Sequence, residues 1–135
     1  EYSKESKAEK NDFVDKIILL VDDEYINLKV IEEYLAPTHA RLLYARDGKE
    51  ALQIFKDEPR IDMVLMDLLM PEMDGFEATQ KIRDINPDIP VIAQTSYDLD
   101  EHKKRFKQAG GTDYLVKPII RKSLLDIINK YLLLF

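Results

Sequence analysis

The chain has no cysteine at all and only two histidines among its 135 residues. Without cysteine, disulfides, thiolate nucleophiles and Cys-based metal sites are all excluded. The two histidines, His39 and His102, lie far apart and offer no metal-ligand spacing. No apolar run approaches the ~20 residues that a membrane-spanning helix needs, so no membrane contact is expected of this domain. No signal peptide is visible. Met does not open the chain; Glu1 does, and the sequence is read as a piece of a longer protein. Basic residues are in the minority, 20 Lys and Arg against 26 Asp and Glu, for a net charge of −6. That balance argues against a nucleic-acid surface here. What is present is ordinary for one soluble domain. Hydrophobic residues make up 45% and charged residues 34%, which is enough apolar material for a core.

Residues Glu1 to Asp15 carry mixed charge and few apolar side chains, and read as a linker. Residues 16–135 read as the folded domain. Within it, continuous apolar runs at 17–21, 63–66, 91–93 and 114–116, with a weaker one at 42–45, alternate with helical patterns. Unbroken apolar strands indicate a sheet covered on both faces. The first helical stripe is read as Ile26, Val30, Tyr34 and Leu35. Asp47 and Glu50 resemble a capping box ahead of Leu52 and Phe55. Phe76, Thr79 and Ile82 form a third stripe. Leu99, His102, Phe106 and Ala109 form a thin fourth, stopped by Gly110 and Gly111. Leu124, Ile128, Tyr131 and Leu132 form a fifth. Five β-α repeats with right-handed crossovers predict an α/β fold, a doubly wound parallel sheet in a three-layer sandwich.

Ligands of open α/β sheets bind at the carboxyl ends of the strands. Here those ends carry Asp22, Asp23 and Glu24, then Asp67, Thr95 and Lys117. Three carboxylates brought together repel one another unless a cation compensates. Oxygen ligands alone select a hard cation, and magnesium is held by one or two carboxylates, waters and a phosphate oxygen. Lys117 supplies a point charge for a carboxylate or a phosphoryl oxygen, and Thr95 a hydroxyl donor. A carboxylate nucleophile that forms an aspartyl phosphate is consistent with this set. Any one of these residues alone is an ordinary strand-end or turn residue. Asp74 and Gly75 read as a turn and a helix start.

Four segments, ILLVDDE (18–24), MDLLMPEMDGFE (66–77), PVIAQTSY (90–97) and GGTDYLVKPI (110–119), strongly resemble response-regulator receiver domains. The resemblance covers roughly Lys16 to Leu132. It implies a flavodoxin-like sandwich with five helices and strand order 2-1-3-4-5, the order documented for this family. It makes Asp67 the phosphoacceptor. Asp22 and Asp23 become the acidic pair for Mg2+, joined by Asp67 and the backbone carbonyl of Leu69. Thr95 becomes the switch hydroxyl, Tyr114 the switch aromatic and Lys117 the partner of the phosphoryl group. The Lys117–Pro118 bond is expected to be cis. Leu69 and Tyr97 occupy the two positions that tune hydrolysis. Neither can orient an attacking water, so slow autodephosphorylation is expected. On its own such a domain catalyses only its own phosphotransfer and slow dephosphorylation.

The expected partner is a histidine-phosphorylated kinase or phosphotransfer domain in the cytoplasm, with dimerisation through the fourth helix, fifth strand and fifth helix. Asn27, in VDDEYIN, resembles a pattern frequent in hybrid sensor histidine kinases, and that parent is favoured; it could be membrane-anchored. Transcription-factor and stand-alone receivers are the alternatives within the family. A pseudo-receiver that uses no phosphate is the alternative outside phosphotransfer. An aspartate-dependent phosphatase is disfavoured, because it needs an acid where Leu69 stands.

Overall fold

The computed structural model describes residues 12–70, 73–96 and 100–133. Five strands form one sheet: β1 (Ile17–Val21), β2 (Arg41–Ala45), β3 (Met63–Asp67), β4 (Val91–Thr95) and β5 (Asp113–Val116). Every pairing is parallel, and the order is β2-β1-β3-β4-β5, as the resemblance implies. Five helices connect and flank them: α1 (Tyr25–Leu35), α2 (Gly48–Asp57), α3 (Gly75–Ile85), α4 (Asp100–Gln108) and α5 (Arg121–Leu132). A short 3-10 turn, Ala36–Thr38, follows α1.

The sheet divides the core in two. Residues of β1 alternate between the halves, with Ile17, Leu19 and Val21 on one side and Ile18 and Leu20 on the other. The first half packs against Ala51 and Phe55 of α2, Phe76, Ala78 and Ile82 of α3, and Phe106 of α4. The second packs against Leu28, Ile31 and Leu35 of α1 and Leu124, Leu125, Ile127 and Ile128 of α5. The strands β1, β3 and β4 are buried along their whole length, and this explains the apolar runs 17–21, 63–66 and 91–93 that open them.

The α1 stripe differs from the expected one. Ile26 is 74% exposed and Val30 37% exposed, while Leu28, Ile31 and Leu35 face the core and Tyr34 is half-buried. Two apolar phases coexist on this helix, and packing selects the one that the i, i+3, i+7 spacing of Leu28, Ile31 and Leu35 describes. Phe13, inside the segment read as linker, is buried and donates its backbone N–H to the carbonyl of Thr38 at 2.8 Å. The folded unit therefore includes residues ahead of Lys16.

Helix α2 starts on a cap. The Asp47 carboxylate accepts from the Glu50 N–H at 2.7 Å, and the Glu50 carboxylate accepts from the N–H of Arg46, one residue ahead of the capping position. The fourth stripe is thin as expected. Phe106 is buried, His102 and Ala109 are half-buried, and Leu99 lies outside the described residues. The Gly110 backbone has φ of +100°, in the region that favours glycine, and ends α4. Arg83, at the end of α3, ties this turn down. Its guanidinium donates to the carbonyls of Gly110 at 2.9 Å and Ile89 at 2.7 Å.

Gly75 sits where no side chain fits. A Cβ on Gly75 would lie 2.3 Å from the Asp67 carbonyl oxygen and 2.7 Å from the Leu68 Cα, so the start of α3 presses directly on the end of β3. Asp74, one residue earlier, caps the helix by accepting from the Glu77 N–H at 2.9 Å.

Candidate functional site

All the polar residues singled out at the strand ends meet at one edge of the sheet. Asp22 follows β1, Asp67 closes β3, Thr95 closes β4 and Lys117 follows β5. The Lys117 ammonium lies 2.9 Å from Asp22 Oδ2 and 3.6 Å from Asp67 Oδ1, bridging two acids that are far apart in sequence. Carboxylate oxygens of Asp22, Asp23 and Asp67 all fall within 4.8 Å of one another. Asp22 is 0% exposed and Asp67 6%, whereas Asp23 is open to solvent. The backbone supports the pair. The Glu24 N–H donates to Asp22 Oδ1 at 2.9 Å, and the Leu69 N–H makes a long contact of 3.4 Å to Asp67 Oδ1. The Lys117–Pro118 bond is cis.

The electrostatics follow from burial. Burial pushes the Asp67 carboxyl up to about 7. Lys117 and the Leu69 N–H oppose that rise, while the charges of Asp22 and Asp23 add to it. For Lys117, burial alone would lower the ammonium. The hydrogen bond to Asp22 and the charges of Asp67, Asp22 and Glu24 outweigh it, so the net shift is upward. Three carboxylates facing one ammonium leave the site short of positive charge.

A divalent cation fits this donor set. Opposite ligand oxygens on an octahedral magnesium ion stand about 4.2 Å apart. Adjacent ones stand about 3 Å apart; the acid oxygens lie within 4.8 Å of one another, a spread that side-chain rotation narrows toward one ion. All three donors are oxygens and one acid is exposed, which leaves a side for water and a phosphate oxygen.

Thr95 is buried beside the cluster, and its carbonyl accepts from the Lys117 N–H at 2.7 Å. Tyr114 lies in register with Ala93, half-buried against the core, with the Lys103 ammonium 4.6 Å from its ring centroid. Leu69 is 50% exposed at the mouth of the site. Tyr97 lies outside the described residues. Sequence reasoning passed over Gln94, which neighbours Asp67 across the sheet and is fully buried. It also passed over Arg83 and the close approach of Gly75. None of the three carries a local pattern that would have marked it.

Comparison with known proteins agrees with this geometry. Residues 18–129 match the family described as response regulator receiver domain. Among curated proteins, the chain is 37% identical over 121 residues to the sensor histidine kinase RcsC of Escherichia coli K12, covering 90% of the chain and 12% of that protein. Several curated relatives are likewise far longer, and the chain spans 7% to 15% of their length. Among solved structures, it is 36% identical to the receiver domain of the sensor histidine kinase PA1611 of Pseudomonas aeruginosa PAO1. That structure has a magnesium ion coordinated in its active-site cleft; the TM-score is 0.79, with 86% of this chain and 96% of that one covered. The complex of the Saccharomyces cerevisiae phosphotransfer protein Ypd1 with the receiver domain of Ssk1 matches with TM-score 0.80 and 26% identity, covering 86% and 88%.

Proposed function

The chain belongs to the response regulator receiver family of two-component signalling, and from that footing we propose that Asp67 accepts a phosphoryl group from a phosphohistidine. The observation that carries this reading is the single ammonium of Lys117 set within reach of both Asp22 and Asp67. In this reading an oxygen of Asp67 attacks phosphorus, the P–N bond to the donor imidazole breaks, and an aspartyl phosphate forms. Asp22, Asp23, Asp67 and the Leu69 carbonyl would hold Mg2+. When bound, the ion offsets the repulsion among the acids and neutralises charge on the phosphoryl oxygens. Lys117 pairs with the phosphoryl group, Thr95 donates its hydroxyl to it, and Tyr114 follows Thr95 inward. The α4 helix, which buries little, is the part able to respond with a modest free-energy bias.

Exposed apolar side chains follow the site residues within a few positions in sequence, among them Tyr25, Ile26, Leu69 and Ile120. They support docking of a histidine-phosphorylated kinase or phosphotransfer domain over the acid cluster, on the cytoplasmic side. The likeness to RcsC and PA1611 supports a hybrid sensor histidine kinase as parent. For pairing of two copies, the partly open edge strand β5, with Val116 exposed, supports a face made of α4, β5 and α5.

Acetyl phosphate with magnesium tests the central claim. Intact-mass measurement is expected to show one phosphoryl adduct on the wild type, stable in acid and labile in base. Asp67→Ala, or excess chelator, is expected to abolish it. An unmodified wild type, or an adduct that persists in Asp67→Ala, overturns the reading.

Leu69 and Tyr97 are proposed to make the phosphorylated form long-lived, because neither offers a group to orient water. Leu69→Asn should speed phosphate loss about tenfold, roughly what one well-placed hydrogen bond to the attacking water is worth. Decay of the adduct after removal of the donor measures it, and an unchanged lifetime counts against the idea.

A further inference from the structure

Of the five α-helices, α4 alone buries only one residue, Phe106, whose ring lies against Gly111. Open grooves flank it on two sides. One, of about 340 Å³, runs between α4 and β5 past Phe106, Gly111 and Tyr114. The other, of about 320 Å³, runs between α3 and α4 past Phe76, Gln80 and Gln108. A cationic side chain of α4 lines each groove and reaches an aromatic ring on the far element. The Lys103 ammonium stands 4.6 Å from the centroid of the Tyr114 ring on β5. The Arg105 guanidinium stands 4.0 Å from the centroid of the Phe76 ring on α3, and one of its nitrogens lies 3.7 Å from the Asp74 carboxylate. His102 meets the same Phe76 ring edge-on, at 5.9 Å. Both rings belong to segments tied to the acid cluster. Tyr114 pairs with Ala93, two residues before Thr95. Phe76 follows Gly75, which packs on the Asp67 carbonyl.

We propose that Lys103 and Arg105 are positioning residues of the switch: their cations hold α4 and the Tyr114 ring in the resting arrangement and so act as a brake on phosphorylation at Asp67. This brake rests on the phosphoacceptor reading of Asp67. A cation over an aromatic face at this exposure is worth about two- to fivefold in an equilibrium. The Arg105–Asp74 ion pair is open to solvent and adds little to that. A helix that buries one side chain has few other contacts to lose, so two such clasps are a sizeable share of what keeps it closed. Their direction follows from where the partners go. Turning Tyr114 inward takes its ring away from the Lys103 ammonium, and moving α4 off α3 takes Arg105 away from Phe76. A contact made in the resting arrangement alone opposes departure from it. The groove beside Tyr114 means that packing leaves that flank open, and the ammonium supplies the hold there.

The test compares wild type with Lys103→Met and Arg105→Met, which keep an unbranched side chain of similar helix propensity and remove the charge. Amide hydrogen exchange on the unphosphorylated chain comes first. The Ala109, Gly110 and Gly111 amides, which close the end of α4, should exchange about two- to fivefold faster in each variant and about tenfold faster in the double variant. Lys103→Arg, which keeps a cation able to lie over the ring, should restore the wild-type rate. A titration with beryllofluoride and magnesium, followed by 15N–1H correlation spectra, comes second. Each Met variant should reach half-saturation at about two- to fivefold lower beryllofluoride, because less is spent leaving the resting arrangement. Unchanged exchange in both Met variants would overturn the clasps. Faster exchange with an unchanged or higher beryllofluoride midpoint would overturn the brake and leave the two cations a purely structural role. A wild type that takes up neither beryllofluoride nor a phosphoryl group would instead overturn the phosphoacceptor reading, and the brake with it.

Discussion

With divalent cations removed, Asp67→Asn is expected to raise the unfolding temperature at pH 8. The cause is the position of a carboxylate that is 6% exposed, beside two other acids. Burial raises its carboxyl from the ordinary 3.8 to about 7. An acid raised in the folded state binds its proton more tightly there than in the unfolded chain. Stability is therefore lost as pH climbs from about 4 through about 7, and the loss is complete at pH 8. A rise of about three units corresponds to roughly 4 kcal/mol at most. For a domain of this size that is roughly 10 °C in unfolding temperature. The amide has no charge to desolvate and escapes the cost. At pH 5 the native Asp67 is mostly protonated, so the gain should shrink to less than half. Magnesium added at pH 8 should stabilise the wild type more than the variant. Thermal melts across this pH range, with chelator and then with magnesium, measure all three effects. A variant less stable than wild type at pH 8 would mean that Asp67 contributes stability rather than costing it.

Lys117→Met is expected to move stability the other way. Asp22 is completely shielded from solvent, and its charge is matched by the Lys117 ammonium and the Glu24 N–H. Removing the ammonium strands one buried carboxylate and leaves a second, Asp67, unopposed. Breaking a buried ion pair by deleting one partner costs about 3–5 kcal/mol, whereas an exposed lysine is worth a few tenths. The loss should be largest at pH 8 without divalent cation. It should be partly recovered in the Asp67→Asn/Lys117→Met double variant, because the two sites share one electrostatic problem and their effects do not add. Denaturant unfolding of the four proteins closes that cycle. A loss below 0.5 kcal/mol would show that Lys117 is not the counter-charge its position indicates.

The sheet was legible because burial on both faces of β1, β3 and β4 forces continuous apolar runs, a pattern with few rival explanations. The acid cluster was legible for a related reason. Strand ends of a parallel sheet share one edge, so Asp22, Asp67, Thr95 and Lys117 were placed together by topology alone. Helix α1 was misphased because it carries two apolar stripes. Ile26, Val30 and Tyr34 follow one another at four-residue spacing as convincingly as Leu28, Ile31 and Leu35 do at three and four. Only contact with β1, β3 and α5 separates the stripe that packs fully from the one whose Ile26 and Val30 are exposed. Gln94 escaped notice because a single polar residue near a strand end reads as an ordinary edge position. That its amide is buried without partners is a property of the packed molecule. Arg83 is similar. Its bonds reach Ile89 and Gly110, and no local spacing signals a guanidinium that joins a helix end to a distant turn.

The fit of Gly75 against the Asp67 carbonyl has a consequence for engineering. Gly48 repeats the arrangement on the neighbouring helix, where a Cβ would lie 2.4 Å from the Met73 carbonyl oxygen. Asp67 and Leu68 on one side, and Met73 on the other, thus lie against two positions that accept no side chain. Leu69, two residues after Asp67, is half exposed. On the proposed role of Leu69, timing and architecture are written at different addresses. A library varied at position 69 alone should sample a range of signal durations on one unchanged scaffold.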